Sequence, residues 1–288
     1  MAKSVLHTIE SNMSTFSKGQ KLIANYILEN YDTAAFMTAS KLGKMVHVSE
    51  STVVRFASEL GYDGYPSMQR ALQEMIRSKL TSLQRIKASN DQLTGQDVLS
   101  AVMQSDMETI RMAIEEVDRN ELARVVDKLT HARHIYILGV RSSSFLAGYL
   151  NFYLHLLFEN VTLVQSNAAG EIFEQLFRIG PGDVIIGISF PRYSKVTLNT
   201  IKFAADRGAD VVAITDSELS PLYQMAGAAL LVRSEMISFI DSMAAPLSLL
   251  NALIVDIGVQ MNRDISKTFA ELEGIWDAYS VFGKMDDE

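Results

Sequence analysis

Between residues 133 and 232 the chain repeats one pattern five times, a short β-branched apolar run followed by a stretch with helical spacing. The runs are RHIYILG (133–139), VTLVQ (161–165), DVIIGIS (183–189), ADVVAIT (209–215) and AALLV (228–232). Helical stretches at 144–158, 168–177 and 195–207 and a short turn at 221–225 separate them, and two long helices, about 239–261 and 265–282, close the chain. Strands apolar along their whole length are covered on both faces, and strands that alternate with helices pair in parallel. The pattern predicts a doubly wound α/β domain with a five-stranded parallel sheet in the order 2-1-3-4-5.

The first 87 residues show no such alternation. Leu22, Ile23, Tyr26 and Ile27 follow Ser17 at three- and four-residue spacing, the signature of an amphipathic helix over 16–30 with a serine N-cap. Residues 39–46, 49–60 (stopped by Gly61) and about 66–80 (opened by Pro66) read as further helices. A length of 288 residues suits two domains, and 48% hydrophobic with 21% charged residues excludes a disordered chain. Charge divides unevenly: residues 1–87 hold 11 Lys and Arg against 7 Asp and Glu, a balance of +4, and the remainder carries −12 of the total −8. A basic segment joined to an acidic one directs the first toward nucleic acid. The polar run TSLQRIKASNDQLTG (81–95) reads as an interdomain connection. The expected division is therefore an all-α helix-turn-helix domain over 1–80, a linker over 81–105 and the α/β domain over 106–288.

Within SKLGKMVHVSESTVVRFASELG (40–61), Val53, Phe56, Ala57 and Leu60 share one side of the second helix, with Ser51, Arg55 and Ser58 opposite. A leading helix with Leu42, Met45 and Val46, the turn His47-Val48-Ser49 and a second helix capped by Ser49 form a helix-turn-helix sized for a major groove. Any small helical domain has two helices and an exposed arginine, so periodicity alone leaves DNA binding open. The stretch LGKMVHVSESTVVRFASELGYDGYPSMQRAL, with its LxxxxxVSxxTVxRFxxxLGxxGY pattern, resembles the amino-terminal domain of RpiR/MurR bacterial transcriptional regulators over about 16–80. That resemblance implies DNA contacts from Lys44, Ser49, Glu50, Ser51, Thr52, Arg55 and Ser58, with Arg55 able to form a bidentate bond to guanine. Two positions depart from the family: His47 stands where glycine is usual, and Gly43 where alanine is common, each expected to lower local helix stability by up to about 1 kcal/mol.

In the second domain the first strand runs into Gly139-Val-Arg-Ser-Ser-Ser144 and the third into Ser189-Phe-Pro-Arg-Tyr-Ser-Lys-Val-Thr197, each just before a helix. Such turns cradle an anion, and in the order 2-1-3-4-5 these two exits meet at the switch point where open α/β sheets bind ligands. The plainer reading of serines 142–144 is a helix cap. Together the two loops resemble the sugar isomerase (SIS) domain, over about 121–255, which RpiR/MurR regulators join to their DNA-binding part. The resemblance implies a phosphorylated-sugar site built from Ser142, Ser143, Ser144, Ser189, Ser194, Lys195 and Thr197. Arg141 replaces a glycine of the family's first loop, and Phe190-Pro191-Arg192 replaces a polar, glycine-containing turn; Arg141 and Arg192 are placed to grip phosphate or carboxylate.

Other chemistry finds little footing. The absence of cysteine removes disulfides, thiolate metal sites and cysteine nucleophiles, and the five histidines (His7, His47, His131, His134, His155) are scattered. With no Walker loop, GxGxxG or paired metal ligands, no cofactor or metal is expected. Residues 243–261 are long enough to span a bilayer but contain Pro246, Asn251 and Asp256, and so read as a buried core helix. Residues 1–10 lack the apolar core of a signal peptide, so a cytoplasmic location without a membrane partner is expected. An isomerase needs a general base; Glu171 reads more simply as an acid at a helix N-terminus and His155 as a helix surface or packing residue. The expected protein is a non-enzymatic homodimeric or homotetrameric regulator of sugar or amino-sugar metabolism that binds an inverted-repeat operator and a phosphorylated sugar. The alternatives are a phosphosugar isomerase and a metabolite-binding module without DNA function.

Overall fold

Capping residues decide where the first helices begin. In the computed structural model, which describes residues 5–77, 80–166 and 169–282, the chain divides into two units. The first comprises residues 1–101 together with the short segment 236–241, and the second comprises 102–235 and 242 onward. Among the described residues the first unit holds α1 (Val5–Asn12), α2 (Lys18–Glu29), α3 (Tyr31–Ala34), α4 (Ala39–Met45), α5 (Glu50–Glu59), α6 (Gly64–Arg77) and α7 (Ser82–Leu93). Ser17 opens α2 with a capping box, its N–H donating to Gln20 Oε1 at 2.8 Å while its hydroxyl accepts from the Gln20 N–H. Thr38 and Ser49 cap α4 and α5 by accepting from the N–H groups of Lys41 and Thr52. The apolar stripes of these helices close on one core, in which Ile9, Ile23, Ile27, Leu42, Val53, Phe56, Met68 and Ile76 are all buried. Each such side chain contributes about 1.5–3 kcal/mol on leaving water. Tyr65 ties the core to the chain above α4 by donating to the Met37 carbonyl at 2.8 Å, and burial pushes its phenol up to about 12.

The turn between α4 and α5 is tight. His47 sits at φ 57°, the left-handed region that glycine adopts without cost, and the Val48 N–H returns to the Gly43 carbonyl at 2.9 Å. A Cβ on Gly43 would lie 2.8 Å from the Val48 carbonyl oxygen. The expectation that Gly43 weakens its helix is thus corrected: glycine is what lets the turn fold back onto α4.

Residues 81–95, expected as an open polar connection, are helical from Ser82 to Leu93. A second capping box explains it: the Thr81 N–H donates to Gln84 Oε1 at 2.9 Å and the Gln84 N–H to Thr81 Oγ1 at 3.3 Å. The end of the expected 66–80 helix touches residues 78 and 79, and the expected 168–177 helix begins at residue 168; these positions lie outside the described residues.

The second unit follows on α8 (Val98–Glu116), whose first turn still belongs to the first unit, and α9 (Arg119–Thr130). Then come β1 (His134–Gly139), α10 (Ser143–Leu157), β2 (Val161–Val164), α11 (Ala169–Gln175), β3 (Asp183–Ile188), α12 (Lys195–Asp206), β4 (Asp210–Thr215) and β5 (Ala228–Leu231), closed by α13 (Ala244–Gln260) and α14 (Asn262–Ala278). The strands pair in parallel in the order β2-β1-β3-β4-β5. Successive residues alternate between two cores: Ile135, Ile137, Ile186 and Ile214 pack against α9, α10 and α13, while Tyr136, Leu138, Ile185 and Ala213 pack against α11 and α12. Asp183, 1% exposed, opens β3 and accepts from Arg133 Nε at 2.8 Å, Arg133 Nη2 at 2.7 Å and the Gly180 N–H at 2.9 Å. Burial pushes its carboxyl up, but these bonds prevail and hold it below the ordinary value.

One long helix begins later than expected, at Ala244 rather than about residue 239. Pro246 has no N–H and its ring meets the carbonyl four residues back, so it is confined to the first turn and the helix cannot extend further upstream. No single described helix is long and apolar enough to cross a membrane.

The helix-turn-helix geometry gives two substitutions of opposite sign. His47→Gly relieves a left-handed residue and is expected to stabilise by about 0.5–1 kcal/mol after glycine's own entropic cost. Gly43→Ala, despite alanine's higher helix propensity, is expected to destabilise because backbone atoms must shift. Thermal melts of the full chain check both signs.

Candidate functional site

Two surfaces carry the residues singled out by sequence. On the first, Val53, Phe56 and Ala57 of α5 face the core, which turns Ser51, Arg55 and Ser58 outward. Lys44, Ser49 and Glu50 are also exposed, and Thr52 is half-buried. The hydroxyls at the start of α5 are tied to one another: Ser49 Oγ lies 2.9 Å from Ser51 Oγ and 2.8 Å from Thr52 Oγ1. Arg55 Nε donates to the Ser51 carbonyl at 3.3 Å, which holds the guanidinium stem along the outer face. Glu50 stands in the first turn, where its charge suits the helix dipole. Val54, 38% exposed, shares this face; sequence reasoning missed it, although the same 100° projection places it beside Ser51 and Ser58.

The second surface lies at the carboxyl ends of β1 and β3. These strands are neighbours, with Gly139 paired to Ile188, so the loops that follow leave the sheet side by side. Gly139 is where the first loop is shaped: a Cβ there would sit 2.4 Å from the Ser143 carbonyl oxygen. Without one, α10 starts directly over the end of β1. Arg141 takes φ 56° and Ser144 Oγ donates to its carbonyl at 2.6 Å. Ser142, in the N-cap position, is itself helical and makes no capping bond with its side chain, so the cap reading of these serines does not describe it. Ser143 is buried at 6% exposure against the turn. Ser144 and Phe145 already donate their N–H groups to the Arg141 and Ser142 carbonyls, so what the α10 N-terminus presents to an anion is chiefly its dipole.

The second loop differs. Ser194 does cap its helix, accepting from the Thr197 N–H at 3.5 Å. Arg192 takes φ 64°, Lys195 is exposed, and Ser189 is 4% exposed. Thr197 is fully buried at the start of α12, and its hydroxyl has no hydrogen-bond partner among the described residues. The Thr200 hydroxyl, one turn further along α12 and equally buried, is in the same state.

Sequence reasoning missed a supporting layer from β4. Thr215 Oγ1 donates to the Ser189 carbonyl at 2.7 Å and lies 2.8 Å from Ser220 Oγ, while Tyr193 donates to Asp216 Oδ1 at 2.9 Å. Burial, then the Asp216 charge, raises the Tyr193 phenol and keeps it protonated. The run Thr215-Asp216-Ser217 after a strand was the available signal. Elsewhere, Glu171 is exposed and accepts from Ser166 Oγ, and His155 is exposed on α10. His134 stacks on Tyr136 and bonds Thr162. Among the described residues no three His, Asp or Glu side chains gather as a metal site.

Both surfaces lie in segments that match known protein families. The helix-turn-helix domain of the rpiR family matches residues 3–79 and the SIS domain matches residues 128–256. An HTH-type transcriptional regulator of Haemophilus influenzae is 33% identical over 238 residues, covering 78% of this chain and 79% of its own length. Another, from Caldanaerobacter subterraneus, is 25% identical over 272 residues, covering 91% and 93%. Among solved structures, the Vibrio vulnificus NanR protein complexed with ManNAc-6P superposes with a TM-score of 0.59 at 23% identity, covering 96% of this chain and 98% of that one. The sugar isomerase domain of an RpiR transcription factor from Sphaerobacter thermophilus gives 0.59 at 23% identity, over 62% and 99%. With an outward α5 face in one unit and paired loops at the sheet switch point in the other, the chain belongs to the rpiR family of helix-turn-helix transcriptional regulators that carry a SIS domain.

Proposed function

We propose that this protein binds operator DNA through α5 and changes its affinity for that DNA when a phosphorylated sugar occupies the loops after β1 and β3. The observation that carries the reading is the joining, in one chain, of a helix with Ser51, Arg55 and Ser58 outward and a sheet switch point at which a helix begins without a side-chain cap. In this reading Lys44, Ser49, Glu50, Ser51, Thr52, Arg55 and Ser58 line the DNA, the phosphate-contacting groups set register, and Arg55 reads a base edge. Glu50 is the exception, a carboxylate that favours cytosine amino groups over phosphate. The ligand sits on Ser142, Ser143, Ser144, Ser189, Ser194, Lys195 and Thr197, with Arg141 and Arg192 adding charge where glycine would leave none. The likeness to NanR, a protein solved with ManNAc-6P, supports an amino-sugar phosphate as one member of the class. The protein acts in the cytoplasm as a sensor and not as a catalyst, in keeping with the engaged carboxylate of Glu171 and the peripheral His155.

Arg55→Ala is expected to weaken binding to the DNA upstream of its own gene by about fivefold to a hundredfold, the loss of a bidentate contact being about 1–3 kcal/mol, with effector affinity unchanged. Gel retardation measures the first and calorimetry the second; undiminished DNA affinity overturns the assignment.

Ser143→Ala and Ser189→Ala are each expected to cost tenfold or more in affinity for the best ligand of a hexose- and amino-sugar-phosphate panel, about 1.5–3 kcal/mol for a hydroxyl bonded to a charged oxygen. Arg192→Gly, which keeps the left-handed backbone, should weaken binding without lowering the melting temperature. A fall in melting temperature with constant affinity would make these groups structural.

A two-fold operator calls for a homodimer or homotetramer, and α10 and α13 of the second unit leave Phe145, Phe152, Val255 and Val259 between 60% and 81% exposed. Light scattering of the full chain should give at least twice 31.9 kDa, and Phe152→Glu should lower it to the monomer mass.

A further inference from the structure

The segment Met236–Asp241 departs from the chain order around it. It lies between β5 and α13 in sequence, yet it belongs to the first unit, so the chain passes between units three times: within α8 at 101/102, at 235/236 and at 241/242. A linker alone needs only one passage. Inside the first unit the segment is built in by specific contacts. Asp241 Oδ2 accepts from Arg85 Nη1 of α7 at 2.9 Å, with side chains only 15% and 2% exposed. Ser238 Oγ lies 2.8 Å from Ser89 Oγ, itself 3% exposed, and Met236 packs against the helical core. Met236 and Asp241 close a backbone bridge. α7 follows α6, whose Leu72 and Ile76 share a core with Val53 and Phe56 of α5.

Inside the second unit the same segment is rooted at the crevice. The Ser189 N–H donates to the Ile214 carbonyl at 3.1 Å, and Thr215 Oγ1 donates to the Ser189 carbonyl at 2.7 Å. The Val232 N–H then donates to the Thr215 carbonyl at 2.9 Å, and the Ser242 N–H to the Glu235 carbonyl at 2.7 Å, which pinches the base of the excursion. Hydrogen bonds therefore run from the second loop through Thr215 to Val232, and the three residues of backbone that follow lead into the segment.

We propose that Met236–Asp241 is a regulatory strap, through which the arrangement of the Ser189 loop acts on Arg85 and α7 and so on the DNA-binding helices. The proposal rests on the reading of the crevice as an effector site and names how that site controls the first unit. Buried ion pairs suit such a role: their net contribution to stability is small, but loss of one partner leaves an uncompensated charge, which makes the pair sensitive to displacement.

Amide hydrogen exchange of the full chain, read by mass spectrometry, tests it without DNA or effector. Thr215→Val, which cuts the link to Ser189, is expected to speed exchange of residues 82–93 at least threefold. In the opposite direction, Asp241→Asn and Ser238→Ala are expected to speed exchange of residues 186–193 and 232–235 by a similar factor. Should Asp241→Asn unfold the first unit, Ser238→Ala, which deletes one hydroxyl, carries the same comparison. Changes confined to the unit that holds the substitution would overturn the proposal. That failure is distinct from failure of the effector-site reading, which calorimetry with the sugar-phosphate panel reports.

Discussion

The missing Cβ at Gly139 is the constraint around which the second unit is arranged. Because that position is bare, the Ser143 carbonyl comes to 2.4 Å of where a methyl group would be, and α10 begins at the end of β1 instead of beyond a longer loop. The helix N-terminus, and with it the positive end of the helix dipole, then stands over the switch point beside the exit of β3. An acidic domain can hold an anion only if local fields outweigh the net charge, and a helix terminus at short range does so where distant carboxylates are screened.

Three of the four described non-glycine residues with positive φ fall at the turns of the two proposed sites. Of the described non-glycine residues with positive φ, His47 lies in the helix-turn-helix turn, Arg141 and Arg192 in the two ligand loops, and Ser280 after α14. Each costs about 1–2 kcal/mol relative to glycine, so it persists only where the surroundings hold it or the side chain has work to do. At His47 the surroundings suffice: the Val48 N–H to Gly43 bond and the Ser49 cap fix the turn from both sides. At Arg141 and Arg192 the proposed phosphate site supplies the reason, since the guanidinium groups bring charge that glycine lacks. The two helix starts also divide labour, since Ser194 satisfies its own helix while Ser142 leaves its helix uncapped.

Several misreadings share a cause. The run 81–95 looked like a connection because its composition is polar, yet Thr81 and Gln84 spell a capping box, and a buried Arg85 shows that polar composition is no measure of exposure when the partner lies far away in sequence. Apolar content alone carries α13 back to about residue 239, whereas Pro246 confines its start to Ala244. In both cases a positional rule outweighed composition.

What the sequence by itself determined was everything that depends on near neighbours: the periods of strands and helices, the caps at Ser17 and Ser49, the outward face of α5 and the glycine-serine turn after β1, because these follow from spacings of one to four residues. The strand order was also within reach, since two strand exits rich in hydroxyls point to a shared switch point. Only the tertiary structure decided that Thr215 supports Ser189, that Gly43 is demanded by Val48, and that residues 236–241 are part of the helical unit. The Arg85–Asp241 pair joins positions 156 residues apart. Contacts at that separation leave no periodic trace in the chain, because nothing in the local backbone distinguishes an aspartate that meets a buried arginine from one that meets water.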